Sequence, residues 1–145
     1  MIGLLQRVSQ ASVTIDNTTV ASIHSGLLIL VGIEKDDEIT NAENLFDKII
    51  NYRVFADSED KMNLSLKDTK GGLLLVSQFT LAANTKKGLR PSFSNSCPPD
   101  KAKPLFDYLV EYAQTHHDDV GAGVFGADMQ VNLLNDGPVT FWLQQ

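Results

Sequence analysis

Leu27, Leu28, Ile29, Leu30 and Val31 follow one another without interruption. Side chains alternate between the two faces of a strand, so such a run leaves neither face for water. It predicts a central strand, buried on both sides, that starts after the turn residues Ser25 and Gly26 and ends near Gly32. Separate elements must then cover each face. The 145 residues form one domain, 1–145, and a chain of this length buries roughly 68–70% of its unfolded surface without help from disulfides or metal.

The remaining segments read as that cover. Val13, Ile15 and Val20 lie in β-branched surroundings with Asp16 and Asn17 between them, the composition of a hairpin. Thr40 and Glu43 are spaced as a capping box, after which Ala42, Leu45, Phe46, Ile49 and Ile50 recur at helical intervals. A second helix is expected after Pro98 and Pro99, with Asp100 as its cap. Its apolar side carries Leu105, Phe106, Leu109, Val110 and Ala113, and it fades by His116 and His117. Further strands are expected over 53–55 and, after Gly71 and Gly72, over 73–81. Residues 84–99 show no periodicity and read as a surface loop of the functional or mobile kind. Near the end, Met129, Val131 and Leu133 alternate with Gln130 and Asn132, a turn follows at Asn135, Asp136, Gly137 and Pro138, and a strand over 139–143 closes the chain. The sum is α+β: mostly antiparallel β-sheets packed in layers with two covering helices.

Charge and composition exclude several classes of function. Acidic residues number 18 against 12 basic ones, and the net charge of −6 argues against broad binding along duplex phosphates. Lys86, Lys87 and Arg90 form the one clear basic cluster, either a solvated loop or a contact for one or two phosphates. Cys97 is the single cysteine, so no disulfide within the chain supports the fold, and a reducing, cytoplasmic compartment is expected. No apolar run approaches the ~20 residues of a membrane span, and Gln6 and Arg7 arrive too soon for a signal-peptide core; no membrane partner is expected. His24, His116 and His117 lack metal-ligand spacing, and His116 and His117 read instead as the cationic end of a helix. Gly121, Gly123 and Gly126 do not have the spacing of a nucleotide-binding loop. Neither metal nor cofactor is expected.

Two polar interruptions remain. The aliphatic run Leu73, Leu74, Leu75, Val76 passes directly into Ser77, Gln78, Phe79 and Thr80. By strand alternation Gln78 and Thr80 share one face while Ser77 and Phe79 share the other. The second is Asn135, Asp136, Gly137, Pro138, Val139 and Thr140, where proline removes an amide donor and X-Pro is the usual seat of a cis peptide. A strand end that satisfies its own polar atoms explains the first, and a plain turn explains the second.

Together and in order, however, the two segments resemble the signatures of the D-aminoacyl-tRNA deacylase family. Further matches are Gln6-Arg7-Val8, Lys61-Met62-Asn63, the loop residues Gly88 to Phe93, and Phe125 to Met129, so the likeness covers nearly the whole chain. Asp60 departs from the pattern, standing where glycine is expected before Lys61.

The resemblance implies the fold of that family and hydrolysis of the ester joining a D-amino acid, or glycine, to the terminal ribose of tRNA, while L-aminoacyl-tRNA is spared. It implies a homodimer in which the Gly137 and Pro138 turn, in cis, enters the partner's pocket and offers carbonyl oxygens to the substrate ammonium. Ser77, Gln78, Phe79 and Thr80 then line the ester, with main-chain amides near Phe79 and Thr80 facing the oxyanion. Arg7 supports the turn from behind, and Phe125 and Met129 pack near the terminal adenine. Thr80 has no His, Lys or Glu beside it to act as base, which favours a positioning role over a nucleophile. The partner implied is the tRNA acceptor end, with Lys86, Lys87 and Arg90 as candidate phosphate contacts. Two other readings share these residues: a non-catalytic module for single-stranded or terminal nucleic acid, and a Thr-dependent hydrolase of small esters.

Overall fold

The structure is a computed structural model that describes residues 1–86 and 88–145; Lys87 of the basic cluster lies outside the described residues. In chain order the elements are β1 (Ile2–Ile15), β2 (Thr18–Ile23), β3 (Gly26–Gly32), α1 (Ile39–Asn51), β4 (Phe55–Ala56), β5 (Met62–Leu64), α2 (Leu66–Thr69), β6 (Gly72–Ser77), a 3₁₀ turn (Phe79–Ala82), α3 (Pro99–His116), β7 (Val120–Ala122) and β8 (Gln130–Gln144). The class is α+β. Pairing in the main sheet is mixed: β1 is antiparallel to β2, β3 and β8, whereas β3, β6 and β7 run parallel to one another. Parallel neighbours need crossovers, and the segments carrying α1 and α3 provide them. Besides the two covering helices there is the single turn of α2.

The aliphatic run sits where its pattern requires. Leu27 and Ile29 of β3, with Leu73 and Leu75 of β6, face a core closed by Leu45, Phe46 and Ile49 of α1 and Phe106, Leu109 and Ala113 of α3. Leu28, Leu74 and Val76 face a second core, closed by Val8, Ala11 and Val13 of β1 with Ile23 of β2. The second cover is thus the sheet itself: β1 pairs with β3 through its first half and with β2 through its second, while β8 follows its other edge. That arrangement bends the sheet over its own face.

Asp16 (φ 48°) and Asn17 (φ 62°) both adopt the left-handed conformation that a two-residue hairpin loop of the favoured twist requires. Helix α1 is capped two residues before the Thr40–Glu43 pair: Glu38 is its N-cap, and the Asn41 side chain accepts the Glu38 amide at 2.8 Å. Asp100 lies inside the first turn of α3, with Pro98 at the cap position and Pro99 at the first helical position, where a missing N–H costs nothing. The strand expected over 53–55 is displaced to β4, because Arg53 donates to the Asn63 carbonyl (2.7 Å) and the Val54 carbonyl accepts from Arg7 (2.6 Å). The strand expected over 73–81 stops at Ser77; β3 has ended at Gly32, and the chain coils into the 3₁₀ turn.

Asp60 occupies the turn between β4 and β5 at φ 59°, where its departure from the family pattern has a physical meaning. Asp57 organises this turn by accepting the Glu59 and Lys61 amides and the Asn63 side chain, and those bonds, Asn63 foremost, hold its carboxyl below the ordinary value. Asp60→Gly should therefore stabilise the protein by roughly 0.5–1 kcal/mol, the left-handed penalty of an L residue less the extra chain entropy of glycine. The check is a higher urea midpoint at unchanged slope.

Candidate active site

At the carboxyl ends of the parallel strands β3 and β6 lies a cavity of about 720 Å³. Crevices at this end of parallel strands are common ligand sites, since the chain leaves the sheet there and its polar groups are released. Val31, Val76 and Val131 form its walls on the sheet side, Phe93, Phe125 and Met129 close it from the loops, and Ser77, Gln78 and Ser96 supply side-chain polarity. Phe79 stands at the rim, 60% exposed, with its ring 5.2 Å from that of Phe93.

Position of the 3₁₀ turn is set by two contacts with β3. The Gln78 amide donates to the Val31 carbonyl at 2.7 Å, extending the strand register by one bond. Gly32 then allows Leu81 to pack directly on the end of β3; a Cβ at Gly32 would lie 2.8 Å from that of Leu81. As the first two amides of the turn, those of Phe79 and Thr80 have no acceptor among the described residues. The Thr80 hydroxyl accepts from Gln78 Nε2 at 2.6 Å and lies outside the cavity lining. Ser77, Gln78, Phe79, Phe125 and Met129 are thus brought together; Thr80 is held beside them.

Arg7, Gly137 and Pro138 form a separate construction. In place of the expected turn between two strands, β8 runs unbroken past them and bulges. Gln6 pairs with Thr140 and Val8 with Asn135, so Arg7 alone stands opposite Asp136, Gly137, Pro138 and Val139. The surplus residues leave the ladder as an exposed tip, with a cis Gly137–Pro138 peptide and Gly137 at φ 126°, a conformation that side chains rarely adopt. Arg7 holds the tip from behind. Its Nε reaches the Asp136 carbonyl (3.1 Å) and carboxylate (3.2 Å), and Nη1 reaches the Val54 carbonyl (2.6 Å). None of these residues lines the cavity of its own chain.

The site thus joins an apolar cavity to two amides beside it, those of Phe79 and Thr80, that have no acceptor among the described residues, while a glycine-proline tip projects elsewhere on the surface. Residues 4–144 match the sequence pattern of the D-Tyr-tRNA(Tyr) deacylase family. The chain belongs to that family. A protein of Pseudomonas fluorescens (strain Pf0-1) named D-aminoacyl-tRNA deacylase is 60% identical over 144 residues, 99% of each chain. One of Cellvibrio japonicus with the same name is 54% identical over the same share of each. Among solved structures, the c-Myc DNA Unwinding Element Binding Protein superposes with a TM-score of 0.95 at 36% identity, covering 100% of this chain and 99% of its own. A probable eukaryotic D-amino acid tRNA deacylase shares the fold, with a TM-score of 0.86 at 16% identity over 99% and 98% of the two chains.

For this member of the deacylase family, reading the sequence missed three cavity residues: Phe93, Ser96 and Cys97. All lie within the aperiodic loop over 84–99, so no spacing pointed to them. The Ser96 hydroxyl reaches the Phe79 carbonyl at 3.4 Å, and its neighbour Ser92 bridges to Asn84, which folds the loop back over the cavity. Cys97 is only 6% exposed, and burial pushes its thiol above the ordinary value. The thiol is therefore protonated at neutral pH and is a poor nucleophile. Iodoacetamide should accordingly label the native protein more slowly than the urea-unfolded protein at pH 8, with the native rate rising as pH approaches the raised value. Equal rates in the two states would contradict the buried placement.

Proposed function

We propose that the protein is a D-aminoacyl-tRNA deacylase, an ester hydrolase that releases D-amino acids and glycine from tRNA and spares the L forms. The observation that carries this reading is the pairing, in one member of the family, of unbonded Phe79 and Thr80 amides at an apolar cavity with an exposed, rigidly braced Gly137-Pro138 tip. Two free amides suit the charge that develops on the ester carbonyl oxygen. Water attacks the carbonyl carbon, the bond to the ribose oxygen breaks, and the proton ends on that oxygen, giving free tRNA and the amino acid. The substrate's own 2′ hydroxyl lies next to the reacting bond and assists the transfer. The protein contributes orientation and oxyanion stabilisation, which act without a titrating side chain.

In this reading Ser77 and Gln78 border the ester, Gln78 holds Thr80 in place, and Phe125 and Met129 receive the terminal adenine by stacking and soft sulfur contact. The tip acts in the partner subunit of a homodimer. Its exposure supports this, as do Trp142 (52% exposed) and Leu134 (57% exposed) along β8, which is paired only with β1 among the described residues. An apolar edge strand needs a cover, and a two-fold pairing would deliver both tips symmetrically. The tip's carbonyl oxygens meet the substrate ammonium, and its wall collides with an L side chain; a hydrogen passes, so glycine is accepted. Recognition is confined to the acceptor end, in keeping with the net charge of −6, with Lys86 and Arg90 of the loop as phosphate contacts. Such a substrate is met in the cytoplasm.

Incubation with matched D-aminoacyl-, L-aminoacyl- and glycyl-tRNA tests the proposal. Loss of the D and glycyl esters with survival of the L ester is expected, before and after chelator treatment. Equal turnover of D and L esters contradicts it, and tRNA binding without hydrolysis would favour a non-catalytic nucleic-acid module. Thr80→Ala should slow deacylation without abolishing it, and mass spectrometry should find no acyl group on the wild-type enzyme; an ester trapped on Thr80 would make it the nucleophile.

A further inference from the structure

The tip has a second brace that the family comparison does not assign. Asn135 is half-buried at the foot of the bulge, and all of its side-chain amide is in use. Its Oδ1 accepts the Val139 amide at 2.8 Å, which closes a ring across the four-residue bulge. Its Nδ2 donates to Gln6 Oε1 and to Thr140 Oγ1, each at 3.0 Å, and approaches the Val139 carbonyl at 3.4 Å. Gln6 and Thr140 are themselves the last cross-strand pair before the interruption. One side chain therefore ties the far end of the bulge to its near end, and ties both to the intact ladder.

We propose that Asn135 is a positioning residue for chiral discrimination, fixing how far the Gly137-Pro138 tip stands from the sheet. Arg7 acts on the Asp136 side of the tip, through that residue's carbonyl and carboxylate. Nothing in the Arg7 contacts restrains Val139, the residue on the other side. With both ends fixed, the tip has one height; with only one fixed, it can swing toward or away from the sheet. A filter that rejects a side chain by collision depends on position to well under the size of a methyl group, so a loosened tip loses selectivity before the protein loses its fold. The two ends of the amide are separable. Aspartate at position 135 still accepts the Val139 amide, whereas alanine accepts nothing.

This inference rests on the proposed deacylase activity, and its test keeps the two apart. D- and L-aminoacyl-tRNA hydrolysis is measured for wild type, Asn135→Ala and Asn135→Asp, with a thermal melt of each. Asn135→Ala should lower the D-over-L rate ratio by about tenfold, the worth of one hydrogen bond lost at a positioning site, while melting as a single cooperative transition. Asn135→Asp should recover most of the ratio. A wild-type ratio in folded Asn135→Ala would overturn the proposal, as would equal losses of ratio in both variants. If Asn135→Ala does not fold, Asn135→Asp alone decides: retention of the ratio supports the Val139 bond as the working contact, and its collapse overturns it. Failure of the wild type to distinguish D from L would instead refute the activity on which the inference stands.

Discussion

β1 and β8 do not match in length, and the surface of the protein is shaped by where that mismatch is placed. Between Gln6 and Val8 there is one residue; between their partners Thr140 and Asn135 there are four. Neither strand can slip to absorb the difference. Leu5, Val8, Ala11 and Val13 are committed to the cores, and a one-residue shift would turn each of them to the opposite face. The surplus leaves the ladder at Arg7, whose guanidinium bonds the expelled Asp136 through its carbonyl and carboxylate and anchors itself on the Val54 carbonyl. Gly137 is the residue that permits the path, since at φ 126° an added Cβ would lie 2.9 Å from the Arg7 guanidinium and 2.8 Å from the Val139 side chain.

The cavity arises from an independent constraint. β3 and β6 are buried on both faces, so neither strand offers a polar group until it ends. Where they end, the chain turns on Gly32 and exposes amides of Phe79 and Thr80 that no strand or helix consumes. The polar groups of the site are therefore the side chains of Ser77, Gln78 and Ser96 together with the free main-chain amides beside them, all set in place by packing. Among the described residues the titratable group in its lining is Cys97, whose thiol burial pushes further above neutral pH. The proposed catalysis by positioned amides suits such surroundings, because dipoles that are already oriented need no reorganisation when charge develops.

Much of this was legible in the sequence, for identifiable reasons. Helix α1 announces its buried stripe Ala42, Leu45, Phe46, Ile49 and Ile50 because a period of 3.6 is hard to mistake, and all five are buried. Its start was misread because Glu38 and Asn41 perform the capping that Thr40 and Glu43 seemed spaced to do. Strand alternation beyond Ser77 failed because a strand persists only while a neighbour supplies its ladder, and pairing with β3 stops at Val31. The bulge read as a turn because glycine, proline and aspartate mark both; whether a chain reverses or merely protrudes depends on pairing with a strand more than a hundred residues away. Loop residues Phe93, Ser96 and Cys97 carried no periodicity, and Phe93 entered only through the Gly88–Phe93 family match, which assigns it no place in a site. Their place at the cavity follows from tertiary contacts, the Phe79–Phe93 ring pair and the Ser96 bond to the Phe79 carbonyl.

These two constructions, the cavity floor at Ser77 and Gln78 and the braced tip, stand apart within one chain, and the account requires them to meet across a pair of chains. The most direct measurement mixes Gln78→Ala chains, damaged at the floor, with Pro138→Ala chains, damaged at the tip, refolds them together and assays D-aminoacyl-tRNA hydrolysis in purified heterodimers. Each heterodimer contains one site built from an undamaged floor and an undamaged tip, so activity should reappear well above that of either variant alone. Heterodimers no more active than the two impaired homodimers would show that floor and tip do not act across the subunits, and a protein that is monomeric by light scattering would remove the shared site outright.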